Sequence, residues 1–441
     1  MLLAPFLLAV AGCTSGPAEP AQPATPPSLV LISVDTLRAD HLGTYGYGRA
    51  TSPNIDALAR DGVVFEHAYA PSSWTLPSHA SMLSGASPYR HGAVTQRHAI
   101  RSDVTMLAER LHDRGYATAA LVSAPFLGRR FGFARGFDAY EQHAKPRDAA
   151  GYQSRVLEVV RGLPREPFFL FVHYFDVHSP YDPEPEFNRF ARDAATRDDA
   201  RADRIGQRVQ KMASSGVKAR PEERDRLVDL YDGEILQVDV KIRELIDAVR
   251  ARTRGRFVAV LTADHGEEFL EHGGLLHGKT LYDEVLHVPL VVTGEGVARG
   301  GRVGRQASLL DVAPTLLEFA GAPAIADVEG RSLAEVVRSG ESTAGGARDP
   351  GLDLLTLAND GSVAMRGVRT PELKLIVDAL HDDRRELYDL RTDPRESTNV
   401  YADRAPVRAE GEILARVVES EAPLPPIKRA TARRLRSLGY M

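Results

Sequence analysis

Two apolar, β-branched runs far apart in the chain each break off in an aspartate. Leu29-Val30-Leu31-Ile32-Ser33-Val34 leads into Asp35, and Phe257–Ala263 leads into Asp264-His265-Gly266. Short runs of this kind, ended by polar residues and glycine, read as buried strands of a parallel sheet. Open α/β sheets bind ligands beyond the carboxyl ends of their strands, so Asp35, Asp264 and His265 are expected to converge on one edge.

Between the two runs stands Thr75, followed by Leu76-Pro77-Ser78-His79. Proline suits the first turn of a helix because its missing N–H is one the helix would leave unpaired. Thr75 is therefore expected just before a helix N-terminus, where free N–H groups and the dipole favour a bound anion. A threonine hydroxyl is a weak nucleophile at neutral pH, and a divalent cation is one way to make its oxygen reactive. Asp35, Thr75, Asp264 and His265 would supply two carboxylates, an imidazole and a hydroxyl to one such ion. The imidazole favours manganese or zinc ahead of calcium.

These residues look like those of the sulfatase family within the alkaline phosphatase superfamily. The resemblance runs from Val34-Asp35-Thr36-Leu37-Arg38-Ala39-Asp40 through Ser52-Pro53-Asn54-Ile55-Asp56 to Pro77-Ser78-His79-Ala80-Ser81-Met82-Leu83-Ser84-Gly85. It resumes at Val177-His178-Ser179-Pro180-Tyr181, Asp264-His265-Gly266-Glu267, Leu281-Tyr282-Asp283-Glu284, Val288-Pro289-Leu290 and Leu387-Tyr388-Asp389-Leu390. Each string is weak alone; their number and order make the signal specific.

The departures from the pattern bear on mechanism. The family places a Cys or Ser, later converted to formylglycine, where this chain has Thr75, so no formylglycine is expected. A formylglycine hydrate expels sulfate by collapsing to the aldehyde, whereas a modified threonine must be released by water attacking the transferred group. The resemblance to Thr-dependent members therefore implies phosphate or phosphonate esters as the favoured substrates. A sulfuric ester hydrolase acting on sulfated carbohydrates is the alternative. A phospho-headgroup transferase using the same residues, or a non-catalytic envelope-binding lipoprotein that kept the fold, are further ones.

Thr36 and His265 stand where the sulfatase pattern usually has a second Asp and an Asn. His79 replaces the motif's Arg, and Val122-Ser123-Ala124-Pro125 replaces an expected Gly-Lys-x-His segment. His178 matches the family histidine that contacts the transferred group. The family lysine has two candidates, Lys279 and His277, each one residue out of register. Thr75, His178, Lys279, His277 and His79 are thus the expected catalytic residues. Asp40, Asp56 and Asp283 read as caps or turn residues, and His67, His91, His112 and His143 receive no role.

Leu2–Val10 is an apolar run too short to span a bilayer, ending in Val10-Ala11-Gly12-Cys13, which resembles a bacterial lipobox. Cys13 is the chain's single cysteine, so the mature fold has no disulfide and no thiolate metal site. A Pro/Ala-rich stretch to Ser28 reads as a tether, giving a lipid-anchored protein of the bacterial cell envelope, on the periplasmic or outer-membrane face. The 441 residues, 43% of them hydrophobic, can bury a large core. A formal net charge of -5 offers no overall attraction for nucleic acid; the family resemblance implies a small-molecule or glycan ester as the expected partner.

The expected fold is α/β, a mostly parallel central sheet between helices, with a small C-terminal antiparallel sheet plus helix. Expected divisions are residues 1–28 as leader and tether, 29–340 as catalytic domain and 341–441 as subdomain. Ser102–Gly115 reads as a helix, Ala117–Val122 and Phe168–Tyr174 as strands, and Gly294–Gly304 as a turn. Arg189–Arg226, dense in charge, reads as a solvated face rather than a lid. Ser342–Pro350 reads as a linker. Beyond it, Ser362–Arg369, Glu372–Asp378 and Glu386–Leu390 read as strands and Arg404–Val418 as a helix.

Overall fold

The computed structural model describes residues 25–143, 149–163, 166–192, 221–326, 328–340, 352–357, 363–378, 380–381 and 384–401. The leader with Cys13, most of the charge-dense 189–226 segment, the 342–350 linker and the 404–418 helix lie outside them.

The sheet grows from three strands without a polar break. These are β1 (Ser28–Val34), β5 (Phe168–Tyr174) and β6 (Phe257–Ala263), buried at every position. Strands covered on both faces need no polar alternation, which is why they read as continuous apolar runs. β1 pairs in parallel with β5 on one side and β6 on the other. Beyond β5 come β3 (Ala117–Val122) and β4 (Ala139–Gln142). Beyond β6 come β10 (Leu290–Gly294), β2 (Gly62–Tyr69) and β11 (Gly301–Ser308), with β9 (His287–Val288) also on β2. Within this nine-stranded sheet only β10 and β9 run against their neighbours, in line with the expected mostly parallel sheet.

Val34 sits opposite Tyr174 and Ala263 at once. Asp35 and Asp264 therefore leave the sheet side by side, from an arrangement of strands that no local sequence signal contains.

A second sheet, in the order β12 (Leu352–Leu357), β13 (Ala364–Arg369), β14 (Leu373–Asp378) and β15 (Arg384–Asp389), is antiparallel throughout. Three of its strands match the expectation; β12 was not foreseen, its partner β13 lying beyond a sequence stretch without regular pattern. The expected 102–115 helix is shorter, Leu107–Asp113, starting where the Glu109 carboxylate accepts from the Met106 N–H at 2.8 Å. The expected 294–304 turn is confined to 295–300, because Gly301 onwards pairs with β2.

Candidate active site

Thr75 opens the helix Thr75–Ser84 as its first residue, one position further in than expected, after an extended Trp74. The helix packs over the sheet end with all ten residues buried and stops at Gly85, whose φ of 71° suits a residue without Cβ. The Ser78 hydroxyl donates to the Asp264 carbonyl, tying this helix to the β6 end.

His265 donates from Nδ1 to the Gly266 carbonyl at 2.9 Å, which leaves Nε2 as a lone-pair donor. That nitrogen is 3.3 Å from Asp264 Oδ2, 3.6 Å from Asp35 Oδ1 and 3.5 Å from Thr75 Oγ1. Ligands at about 2.0–2.2 Å from a tetrahedral ion are separated by roughly 3.3–3.6 Å, so the spacing fits one first-row cation. Both oxygens of Asp35 and Oδ2 of Asp264 are buried without a hydrogen-bond partner. Buried carboxylates are ordinarily paired or bound to metal, and these three orphaned oxygens point to missing positive charge. Burial, opposed chiefly by His265, pushes Asp35 up to about 7. Burial and the Asp35 charge do the same to Asp264. Burial and the neighbouring His277 lower His265 to about 4, which keeps the imidazole neutral and able to bind a cation.

Thr36, next to Asp35, holds φ at 58°, a left-handed conformation that a β-branched residue seldom adopts. Three contacts enforce it: its hydroxyl donates to Val177 O at 2.9 Å, its carbonyl accepts from Tyr231 OH at 2.7 Å, and its N–H reaches Asp264 Oδ1 at 3.3 Å. The strained turn, costing about 1–3 kcal/mol, aims the two carboxylates. It also takes the Thr36 side chain away from the cluster.

His178 donates from Nδ1 to the Ser179 carbonyl at 2.7 Å and stacks on Phe175. Burial lowers it to about 3, which favours the neutral ring protonated at Nδ1. His277 lies 4.3 Å from the His265 ring and 5.0 Å from that of His178, and donates from Nδ1 to Glu267 Oε1 at 2.7 Å. Lys279, the rival candidate, is exposed. Of the two, His277 is the one whose ring adjoins the cluster.

His79 departs from its expected place. Expected among the catalytic residues, it is instead fully buried beneath the cluster. Its Nδ1 lies 2.9 Å from Thr75 O and 3.4 Å from Asp264 Oδ2, and its Nε2 is 3.0 Å from Ser33 Oγ. Its ring approaches that of His173, a residue sequence reasoning passed over as part of a strand. A histidine inside an otherwise apolar buried run was the available signal. Glu267, at the end of the Asp264-His265-Gly266-Glu267 string, is buried and also accepts from Tyr181 OH at 2.7 Å. Asp283, read as a turn residue, is an ion-pair hub, 2.8 Å from Lys374 and 2.9 Å from Arg369.

Comparison with known proteins places this geometry among relatives. The family described as Sulfatase matches residues 27–322, and that described as N-sulphoglucosamine sulphohydrolase, C-terminal, matches residues 271–422. An N-acetylglucosamine-6-O-sulfatase of Bacteroides thetaiotaomicron is 22% identical over 96% of this chain and 90% of its own length. A structure solved in complex with its substrate D-glucosamine-2-N,6-O-disulfate superposes with a TM-score of 0.75 at 19% identity, covering 90% of this chain and 97% of that one. The phosphonate monoester hydrolase of Agrobacterium radiobacter gives 0.70 at 20% identity, covering 94% and 96%.

Proposed function

The chain belongs to the sulfatase family, and from that premise we propose an ester hydrolase in which Thr75 is the nucleophile and Asp35, Asp264 and His265 hold a divalent cation beside it. Phosphate or phosphonate esters are the favoured substrates. The observation that carries this reading is the threonine itself, a residue without the aldehyde chemistry of formylglycine, set 3.5 Å from the metal-facing nitrogen of His265. When bound, the cation would lower the charge on the Thr75 oxygen and on the transferred group.

The chain's own groups do the rest. The Thr75 oxygen forms a bond to phosphorus as the bond from phosphorus to the leaving oxygen breaks, the threonine's proton going to the departing alcohol; water then attacks phosphorus, the bond to the Thr75 oxygen breaks, and a proton from that water restores the hydroxyl. The helix N-terminus receives the anion. Glu267 fixes His277 with Nδ1–H toward the carboxylate, which presents Nε2 to the pocket. Burial of Thr75, His265 and both aspartates keeps bulk water off the reacting oxygen.

A second reading, sulfuric ester hydrolysis on a sulfated carbohydrate, has its own support and the comparisons favour it: the curated relative and the glucosamine-disulfate complex are both named for sulfated sugars. Phosphonate monoester hydrolases among the structural neighbours support the phosphorus reading at the level of fold. Matched aryl phosphate, phosphodiester, phosphonate and sulfate esters, assayed after chelation and replacement with manganese or zinc, separate the two. Phosphorus esters are expected to turn over faster; faster sulfate turnover by the same Thr75-dependent route would replace the first reading with the second. Anchoring through Cys13 in the bacterial envelope is proposed on the lipobox-like string alone. Incorporation of a labelled fatty acid, abolished in Cys13→Ala, is the expected result.

A further inference from the structure

Beneath the carboxylate–imidazole group just described lies another, built from the opposite side. Ser33 and His173 are register partners in β1 and β5, and partners across a pleated sheet project to the same face. The helix Thr75–Ser84 covers that face and brings His79 onto it, with the His79 and His173 rings 4.9 Å apart. His79 Nδ1 is 3.4 Å from Asp264 Oδ2, and His173 Nε2 is 3.4 Å from Asp35 Oδ2. One donor atom each from His79, His173 and Asp264 falls within 4.8 Å of the others, as holds for Asp35, Asp264 and His265. Neither ring nitrogen of His173 has a hydrogen-bond partner, although the residue is fully buried. The orphaned Oδ2 atoms of Asp35 and Asp264 complete the gap. A buried imidazole unsatisfied on both sides, facing two unsatisfied carboxylate oxygens, is what a missing cation leaves behind.

We propose that His79, His173 and Asp264 form a second cation site, so that the centre holds two ions sharing Asp264, with Asp35 Oδ2 beside the lower one. Two imidazoles and a carboxylate suit zinc or manganese and not magnesium or calcium. His79 has the outer contact such a ligand needs: Nε2–H can donate to Ser33 Oγ at 3.0 Å, which turns the Nδ1 lone pair inward. The competing arrangement is Nδ1–H donating to Thr75 O at 2.9 Å, so the tautomer of His79 reports which state exists. The lower ion does not reach substrate; it holds both aspartates in place from behind. His79 and His173 are positioning residues for the reaction.

This inference rests on the metal reading of the upper site, and its test keeps the two apart. The full chain is loaded with zinc alone, freed of excess by dialysis, and its zinc is counted by mass spectrometry of the digested sample. Crystals of the same sample are mapped at the zinc absorption edge. Expected are two equivalents, two anomalous peaks roughly 3.5–4 Å apart, a fall to one equivalent in His173→Gln with the upper peak kept, and a fall to one in His265→Ala with the lower peak kept. One equivalent in the wild-type chain, unchanged in His173→Gln, overturns the second site and leaves the first standing. Two equivalents both retained in His173→Gln overturn it as well, and zinc absent throughout overturns both sites. If His173→Gln does not fold, the wild-type map decides alone: a peak between His79 and His173, or none.

Discussion

Two sets of acids in this molecule, one fully buried and one mostly so, meet opposite electrostatic fates. Asp283 sits against Lys374 and Arg369. Burial pushes its carboxyl up, but the two cations outweigh that and hold it well below the usual carboxylate range. Asp35 and Asp264 are hidden completely, whereas 20% of the Asp283 side chain stays exposed, and among the described residues the two strand-end aspartates have only histidines as ion-pair neighbours, themselves lowered by burial. Both carboxyls rise to about 7. Burial pushes the carboxyl up in both regions; a resident cation opposes it in only one. The Asp283 hub carries its counter-charge within the chain and joins the small antiparallel sheet to the main one. The pair at the strand ends is arranged for a counter-charge from outside.

The contrast breaks most visibly under isosteric neutralisation. Asp35→Asn should lower ester turnover by about 10³-fold or more and abolish metal binding at the upper site, while the chelated protein melts no lower than wild type, since an uncompensated buried charge has gone. Turnover within tenfold of wild type would remove Asp35 from the centre. Asp283→Asn should do the reverse, costing about 3–5 kcal/mol of stability because buried Lys374 and Arg369 lose a partner, with little change in metal content. Denaturant unfolding measures it, and a loss below about 1 kcal/mol would mean the hub is not what joins the sheets.

A smaller effect is expected at Glu267. Glu267→Gln keeps the shape but weakens the hold on His277, lowering kcat by roughly 10–100-fold with KM little changed. An unchanged kcat would leave His277 without a role in turnover.

The pH dependence sharpens the comparison further. Because the folded carboxyls of Asp35 and Asp264 lie near 7, above the unfolded value of about 3.9, the folded apo-protein holds more protons than the unfolded chain between those limits. Their contribution to apo-protein stability therefore falls as pH rises through that window. A cation requires them ionised, so the gain in melting temperature given by manganese or zinc over the chelated protein should grow as pH rises through about 7. A gain that is flat across that range would contradict the assignment of these groups as ligands.

How much of this could be read from the chain alone follows the same division. The strands β1, β5 and β6 announce themselves by unbroken apolar runs, and their terminal aspartates and His265 fall where strand ends fall. What stayed hidden depends on which strands lie side by side. His173 faces the centre only because β5 neighbours β1, and local periodicity does not encode that order. Asp283 looks like a turn residue until β13 and β14 bring Arg369 and Lys374 against it. His79 sits where a family motif places an arginine, yet its shorter side chain stops at Ser33 and Asp264 instead of reaching the pocket. Thr36 gave no sign of its strain, which is imposed by Val177 and Tyr231 from distant elements.

The central claim is that Thr75 carries the transferred group. Rapid acid quenching of the metal-loaded enzyme during turnover of an aryl phosphate labelled in its phosphoryl group, followed by peptide mapping, tests it most directly. Label is expected on the peptide containing Thr75, with loss of both label and turnover in Thr75→Ala. Turnover that persists in Thr75→Ala, with no label retained by the wild-type chain, would contradict it.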